Sequence, residues 1–205
     1  VDNIEKLFKD GIMAIMPIYI DMYGNCTKVI TLKTQENYLF KSVKTVLKNM
    51  AKFYAIDLMV SREYYGKIIG ISNTVPIPFD SENIFVPLKV RKPIFKNDGS
   101  FGYFNLKFIY DIKEEKSGVY IILEGNIKVR INQTLKTAYK HIRHGEIVKR
   151  VYDKKTYGLV RESDYDFYIE YNKPATKGDI VFLMNQLMDI LRKLADYKRQ
   201  GTKGI

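Results

Sequence analysis

The sequence predicts an α+β fold: a mainly antiparallel β-sheet with a few helices and a long C-terminal helix. Three patterns predict it. Short runs rich in Ile, Val, Tyr and Phe recur between turn-forming clusters, as in hairpin-connected strands. Residues 43–54 and 133–143 instead repeat their apolar residues at i, i+3, i+4 and i+7, which gathers them on one face of a helix. Residues 177–197 carry Ile180, Met184, Leu187, Leu191 and Leu194 at alternating spacings of four and three, a seam able to pack on a core or on a second copy.

Taken in order, residues 12–20, 28–32 and 38–41 read as strands, separated by turns at 21–25 and 33–37. Ser42 is placed to cap the helix over 43–54, whose apolar face is Val43, Val46, Leu47 and Met50. Lys44, Lys48 and Lys52 line its other face and read as a solvated row. Between 55 and 74 the pattern is ambiguous, with a short helix over 62–65 and a strand over 68–72 as the expectation. Pro76, Pro78, Pro87 and Pro93 then space out extended segments, each belonging at an edge or a strand start. The turn 97–100 separates a strand over 94–96 from one over 103–112. A second turn over 114–118 precedes strands over 119–124 and 127–131, broken at Gly125.

Asn132 is expected to cap the helix over 133–143, with Leu135, Ala138, Tyr139 and Ile142 as its buried stripe and Gly145 as its C-terminal cap. Residues 147–152 and 156–160 read as a hairpin whose tip is Asp153-Lys154-Lys155. Thr176 is positioned to cap the last helix. Domain organisation follows: 1–165 as one β-rich unit including the basic helix and hairpin, and 166–200 as a strand and helix packing on the core or mediating oligomerisation.

Charge is distributed unevenly along this frame. Residues 126–161 hold ten Lys/Arg against two Asp/Glu, whereas 1–125 hold 17 against 14 and 162–205 hold seven against seven. Most of the net +11 is therefore local, which makes a polyanion the first partner to consider. Lys136, Lys140 and Arg143 form one row on the expected helix, while Lys128, Arg130, Lys149, Arg150, Lys154 and Lys155 surround it. Asn132, Gln133 and Thr134 add hydrogen-bonding groups at the helix start. Cations that neutralise phosphates release condensed counterions, so such a site binds nucleic acid with a strong salt dependence. A basic hairpin would also suit the enhanced negative potential of a narrow A/T minor groove.

Other chemistry finds less support. The single cysteine, Cys26, excludes an intramolecular disulfide and reads as a small apolar residue in a reducing, cytoplasmic setting. The apolar run 12–20 contains Pro17 and fits neither a secretory signal nor a membrane span. No nucleotide-binding glycine fingerprint is present, and no catalytic residue, metal or cofactor is assigned. His141 and His144 are read as polar positions at a helix end rather than as metal ligands. Glu124 with Lys128, and Glu170 with Lys173, leave a metal-dependent nuclease as an alternative, beside an RNA-binding module.

The order of several short motifs resembles the ComK-type competence transcription factors. These are Ile-Met-Ala-Ile-Met-Pro over 12–17, Gly24 before Lys28-Val29-Ile30, the helix over 43–54, and Tyr65-Gly66-Lys67. Val75-Pro76-Ile77, then Asn83-Ile84-Phe85-Val86-Pro87, and residues 132–139 with Thr137-Ala138 continue the series. The chain departs from the family pattern at Leu88-Lys89-Val90-Arg91 and contains no tryptophan. The resemblance implies a cytoplasmic, nucleoid-associated transcriptional activator that binds A/T-rich double-stranded DNA through the minor groove as a homodimer or higher oligomer. It further implies contacts with RNA polymerase and with a protease adaptor.

Overall fold

The computed structural model describes residues 2–33, 35–95 and 98–156, together with positions 184, 187 and 188. The chain forms two compact units, Val1–Tyr168 and Ile169–Ile205. In the second, Met184, Leu187 and Met188 are helical and exposed. The remainder of the helix expected over 177–197 lies outside the described residues, as do the strand of 166–200 and the hairpin arm 157–160.

The first unit is α+β. Helix α1 (Asp2–Lys9) precedes strands β1 (Ile12–Ile20), β2 (Gly24–Thr31) and β3 (Gln35–Leu39), which form an antiparallel meander. Helices α2 (Val43–Phe53) and α3 (Leu58–Ile69) follow, then β4 (Ile77–Pro78), β5 (Ile84–Lys89) and β6 (Phe101–Asn105). These six strands make one antiparallel sheet in the order β3-β2-β1-β6-β5-β4. Strands β7 (Ile109–Glu115), β8 (Gly118–Leu123) and β9 (Ile127–Ile131) make a second antiparallel sheet, and α4 (Leu135–Thr156) closes the unit.

Because proline cannot donate to a ladder, it is tolerated where one side of a strand is open. β6 pairs with β1 only at Ala14 and Ile15, leaving Pro17 beyond that contact. β4 pairs with β5 only at Phe85 and Ile84, leaving Pro87 free on that side. Pro78, in the edge strand β4, meets the expectation for the prolines, whereas Pro87 stands in the middle of an inner strand and is accommodated because β4 is too short to reach it.

Strand alternation sends side chains to two faces of the large sheet. One face, with Met13, Val86 and Phe104, packs on the inner side of the small sheet (Ile121, Leu123) and on Ala138 of α4. The other, with Ile15, Val29 and Phe85, is covered by Leu7 of α1 and by Val46 and Met50 of α2. A third cluster joins α3 (Tyr65, Ile68, Ile69) to the second half of α4 (Ile147, Val148, Val151).

The Ser42 cap is present: its Oγ accepts from the Thr45 N–H, and the apolar face of α2 is buried as expected. Residues 58–69 differ from expectation, since a twelve-residue helix replaces the short helix and strand. Asp57 Oδ1 accepts from the Met59 and Val60 N–H groups at one end, and left-handed Gly70 (φ 69°) stops the helix at the other. The strand expected over 103–112 is interrupted by a 3-10 turn at Leu106–Phe108, and Ile94 and Phe95 lie in an exposed loop rather than a strand.

The largest correction concerns α4. It runs unbroken for 22 residues, so Gly145 is no cap and residues 147–156 are no hairpin. Gly145 is buried where the helix crosses β5, and an added Cβ would stand 2.5 Å from Val86 Cγ2. Glycine there permits close approach of helix and strand. The Ile147, Val148 and Val151 run suits one helical face as well as a strand. The helix also starts later than expected: Thr134, not Asn132, caps it, its Oγ accepting from the Thr137 N–H at 3.3 Å.

Candidate nucleic-acid interface

A continuous α4 brings together cations that the sequence pattern had divided between two elements. Lys136, Lys140, Arg143, Arg150 and Lys154 stand at i, i+4, i+7, i+14 and i+18. At 3.6 residues per turn these positions fall within an arc of about 80° and extend about 27 Å along the axis. The first four are exposed and Lys154 is half-buried. Glu146, the one acid on the exposed side of the helix, sits beside this row. Tyr139, half exposed, lies at its foot, its hydroxyl donating to the Ile112 carbonyl at 3.2 Å.

The opposite side of α4 explains why the stripe is so well defined. Ala138, His144, Gly145, Ile147, Val148 and Val151 are buried against β5, the small sheet and α3. Those contacts fix the helix in rotation. The basic row is left facing outward.

The remaining expected site residues are placed elsewhere. Lys149 turns inward, its Nζ donating to the Ser81 carbonyl at 2.8 Å and to Asp153 Oδ2 at 3.0 Å. Lys155 caps the α3 side, its Nζ 4.6 Å from the centre of the Tyr64 ring. Lys128 and Arg130 project from the outer face of β9, Lys128 paired with Glu115 at 2.7 Å and Arg130 lying over Gly118. Asn132 donates its N–H to the Lys89 carbonyl, and Gln133 Oε1 accepts from the Lys89 N–H at 2.9 Å. Asn132 and Gln133 therefore fasten the start of α4 to the end of β5, and the Thr134 hydroxyl is occupied by the cap.

His141 and His144 also depart from expectation, because they lie in mid-helix rather than at its end. Burial, reinforced by Lys140, His141 and Arg143, pushes the His144 imidazole down to about 4. Burial also lowers His141. Both imidazoles are thereby favoured in the neutral form and add little positive charge beside the cation row at pH 7. Among the described residues no three His, Cys, Asp or Glu side chains are grouped to hold a metal ion. Among them, too, no helix is long and apolar enough to cross a membrane.

The arrangement offers a rigid, linear array of long cations. It can neutralise successive phosphates without rearrangement of the backbone, and such contacts set register and affinity rather than sequence preference. Arg150 and Lys154 join the array only because the helix continues past Gly145. The signal that could have found them is their spacing of 14 and 18 residues from Lys136, which is helical and would be meaningless across a hairpin. No family model matches the chain, and no curated protein or solved structure matches it either.

Proposed function

We propose that the protein is a sequence-selective, double-stranded-DNA-binding transcriptional activator of the ComK type, and that the exposed face of α4 carries its phosphate contacts. The observation that supports this reading is the row from Lys136 to Lys154: five cations on one face of a single helix, four of them exposed, with the other face packed against the core. A preference for A/T-rich duplex, self-association, and contacts with RNA polymerase and a protease adaptor belong to the same proposal and rest on the family resemblance. The basic hairpin no longer supports minor-groove entry, because residues 147–156 are helical. Phosphate contact by α4 is compatible with either groove.

Replacing Lys136, Lys140 and Arg143 together by Ala tests the reading. The slope of log affinity against log salt should fall by roughly 0.9 for each phosphate that is no longer neutralised. An unchanged slope and affinity would remove α4 from the interface.

A further inference from the structure

The loop between β5 and β6 presents two large apolar side chains to solvent on a heavily braced support. Ile94 is 66% exposed and Phe95 69%. Beneath them the Tyr19 hydroxyl bonds to Asp98 and accepts from the Ile94 N–H at 3.0 Å, while Asp98 Oδ2 also accepts from the Phe95 N–H at 3.0 Å. Arg91 crosses the Tyr19 ring at 4.0 Å, donating from Nη2 to Asn25 Oδ1 at 2.6 Å and from Nε to the Gly99 carbonyl at 3.0 Å. Five side-chain hydrogen bonds and a stacked guanidinium thus hold a tip that buries nothing of its own.

The flanks of this tip carry Arg91 and Lys92 against Asp98, whose carboxylate is already engaged by Tyr19. Its root is Lys89, whose N–H and carbonyl are both bound by the residues that open α4, so the loop leaves the sheet beside the start of the basic helix. Apolar side chains rimmed by cations suit a stacked polyanion, in which apolar base faces lie behind a phosphate rail. Architectural DNA-binding proteins use Phe, Ile and Pro in this way, opening a base step and kinking the duplex by roughly 20–90°.

We propose that Pro93, Ile94 and Phe95 form an apolar wedge that enters a base step of the duplex held by α4 and bends it. The wedge rests on the DNA-binding reading above. The test uses the full chain and an A/T-rich duplex of about 30 base pairs, a length over which such bends are measurable, with a fluorophore at each end. Wild-type protein shortens the end-to-end distance. The I94A/F95A variant keeps the wild-type salt slope, loses most of the bend, and binds about tenfold more weakly, the scale on which removing one base–aromatic stack acts. Phe95→Leu keeps the bend. Wild-type protein that binds but leaves the duplex straight overturns the wedge alone. The wedge is overturned equally if I94A/F95A bends DNA as wild type does, including the case in which it changes self-association instead. Wild-type protein that binds no duplex sinks both readings.

Discussion

At the scale of single residues, two glycines and one histidine carry more structural information than the charges around them. Gly66 lies inside α3, where an added Cβ would stand 2.5 Å from the Ile71 carbonyl oxygen, a backbone atom that cannot rotate away. That carbonyl lies just past the helix end, where the Gly70 and Ile71 N–H groups both bond back to the Gly66 carbonyl. Gly66→Ala would gain roughly 1 kcal/mol of helix propensity, yet overpacking of this kind costs about 1–3 kcal/mol. Urea unfolding should show a lower midpoint; a higher one would mean the turn relaxes freely. His144 makes a second prediction. Its imidazole is lowered from the usual 6.5 to about 4 in the folded protein, so the unfolded chain takes up the proton first. Stability from this group is full above pH 6.5 and is lost as pH falls toward 4. His144→Leu should flatten the stability–pH curve in that window, and parallel curves for variant and wild type would contradict the assignment. The sequence marked both histidines as polar ends because Gly145 looked like a stop. Only the packing against Val86 shows that the glycine serves closeness rather than termination.

At the scale of elements, α4 separates cations that look alike in sequence. Lys149 and Arg150 are neighbours, yet one is fastened to Ser81 and Asp153 while the other is exposed on the basic row. Arg150→Ala should therefore weaken duplex binding and reduce the salt slope much as Lys136→Ala does. Lys149→Ala and Lys155→Ala should leave the slope unchanged, and Lys149→Ala should lower stability by removing the tie to the Ser81 carbonyl. Equal slopes for Arg150→Ala and Lys149→Ala, measured by anisotropy across a salt series, would contradict the helical face. Elements with an alternating or capped pattern were legible in advance: β1 and α2 agree with the sequence, as does the break at Gly125 between β8 and β9, where φ is 74°. Elements buried on more than one side were not. In α3 and the second half of α4 the apolar residues meet two neighbours at once, which blurs a 3.6-residue period into runs that resemble strands.

At the scale of the whole molecule, the described fold reads as a scaffold that holds α4 in one orientation. Two sheets sandwich a core against its first half, α3 supports its second half, and β5 anchors its start through Lys89. The α+β class followed from local patterns, whereas the pairing of β1 with β6, which joins the two halves of the large sheet, depends on strands about 90 residues apart that no local signal announces. The same holds for the candidate site. Its charge excess was plain in composition, but its shape required knowing that one helix spans 135–156. The role proposed for this helix is to bind duplex DNA, with a preference for A/T-rich sequence. Its most direct test is a titration of A/T-rich against G/C-rich duplex of equal length at two salt concentrations, using wild type and the Lys136/Lys140/Arg143 alanine triple variant. Wild type should bind the A/T-rich duplex more tightly and weaken strongly at the higher salt, and the triple variant should show a shallower salt response. Equal, salt-insensitive binding of both duplexes by both proteins would contradict it.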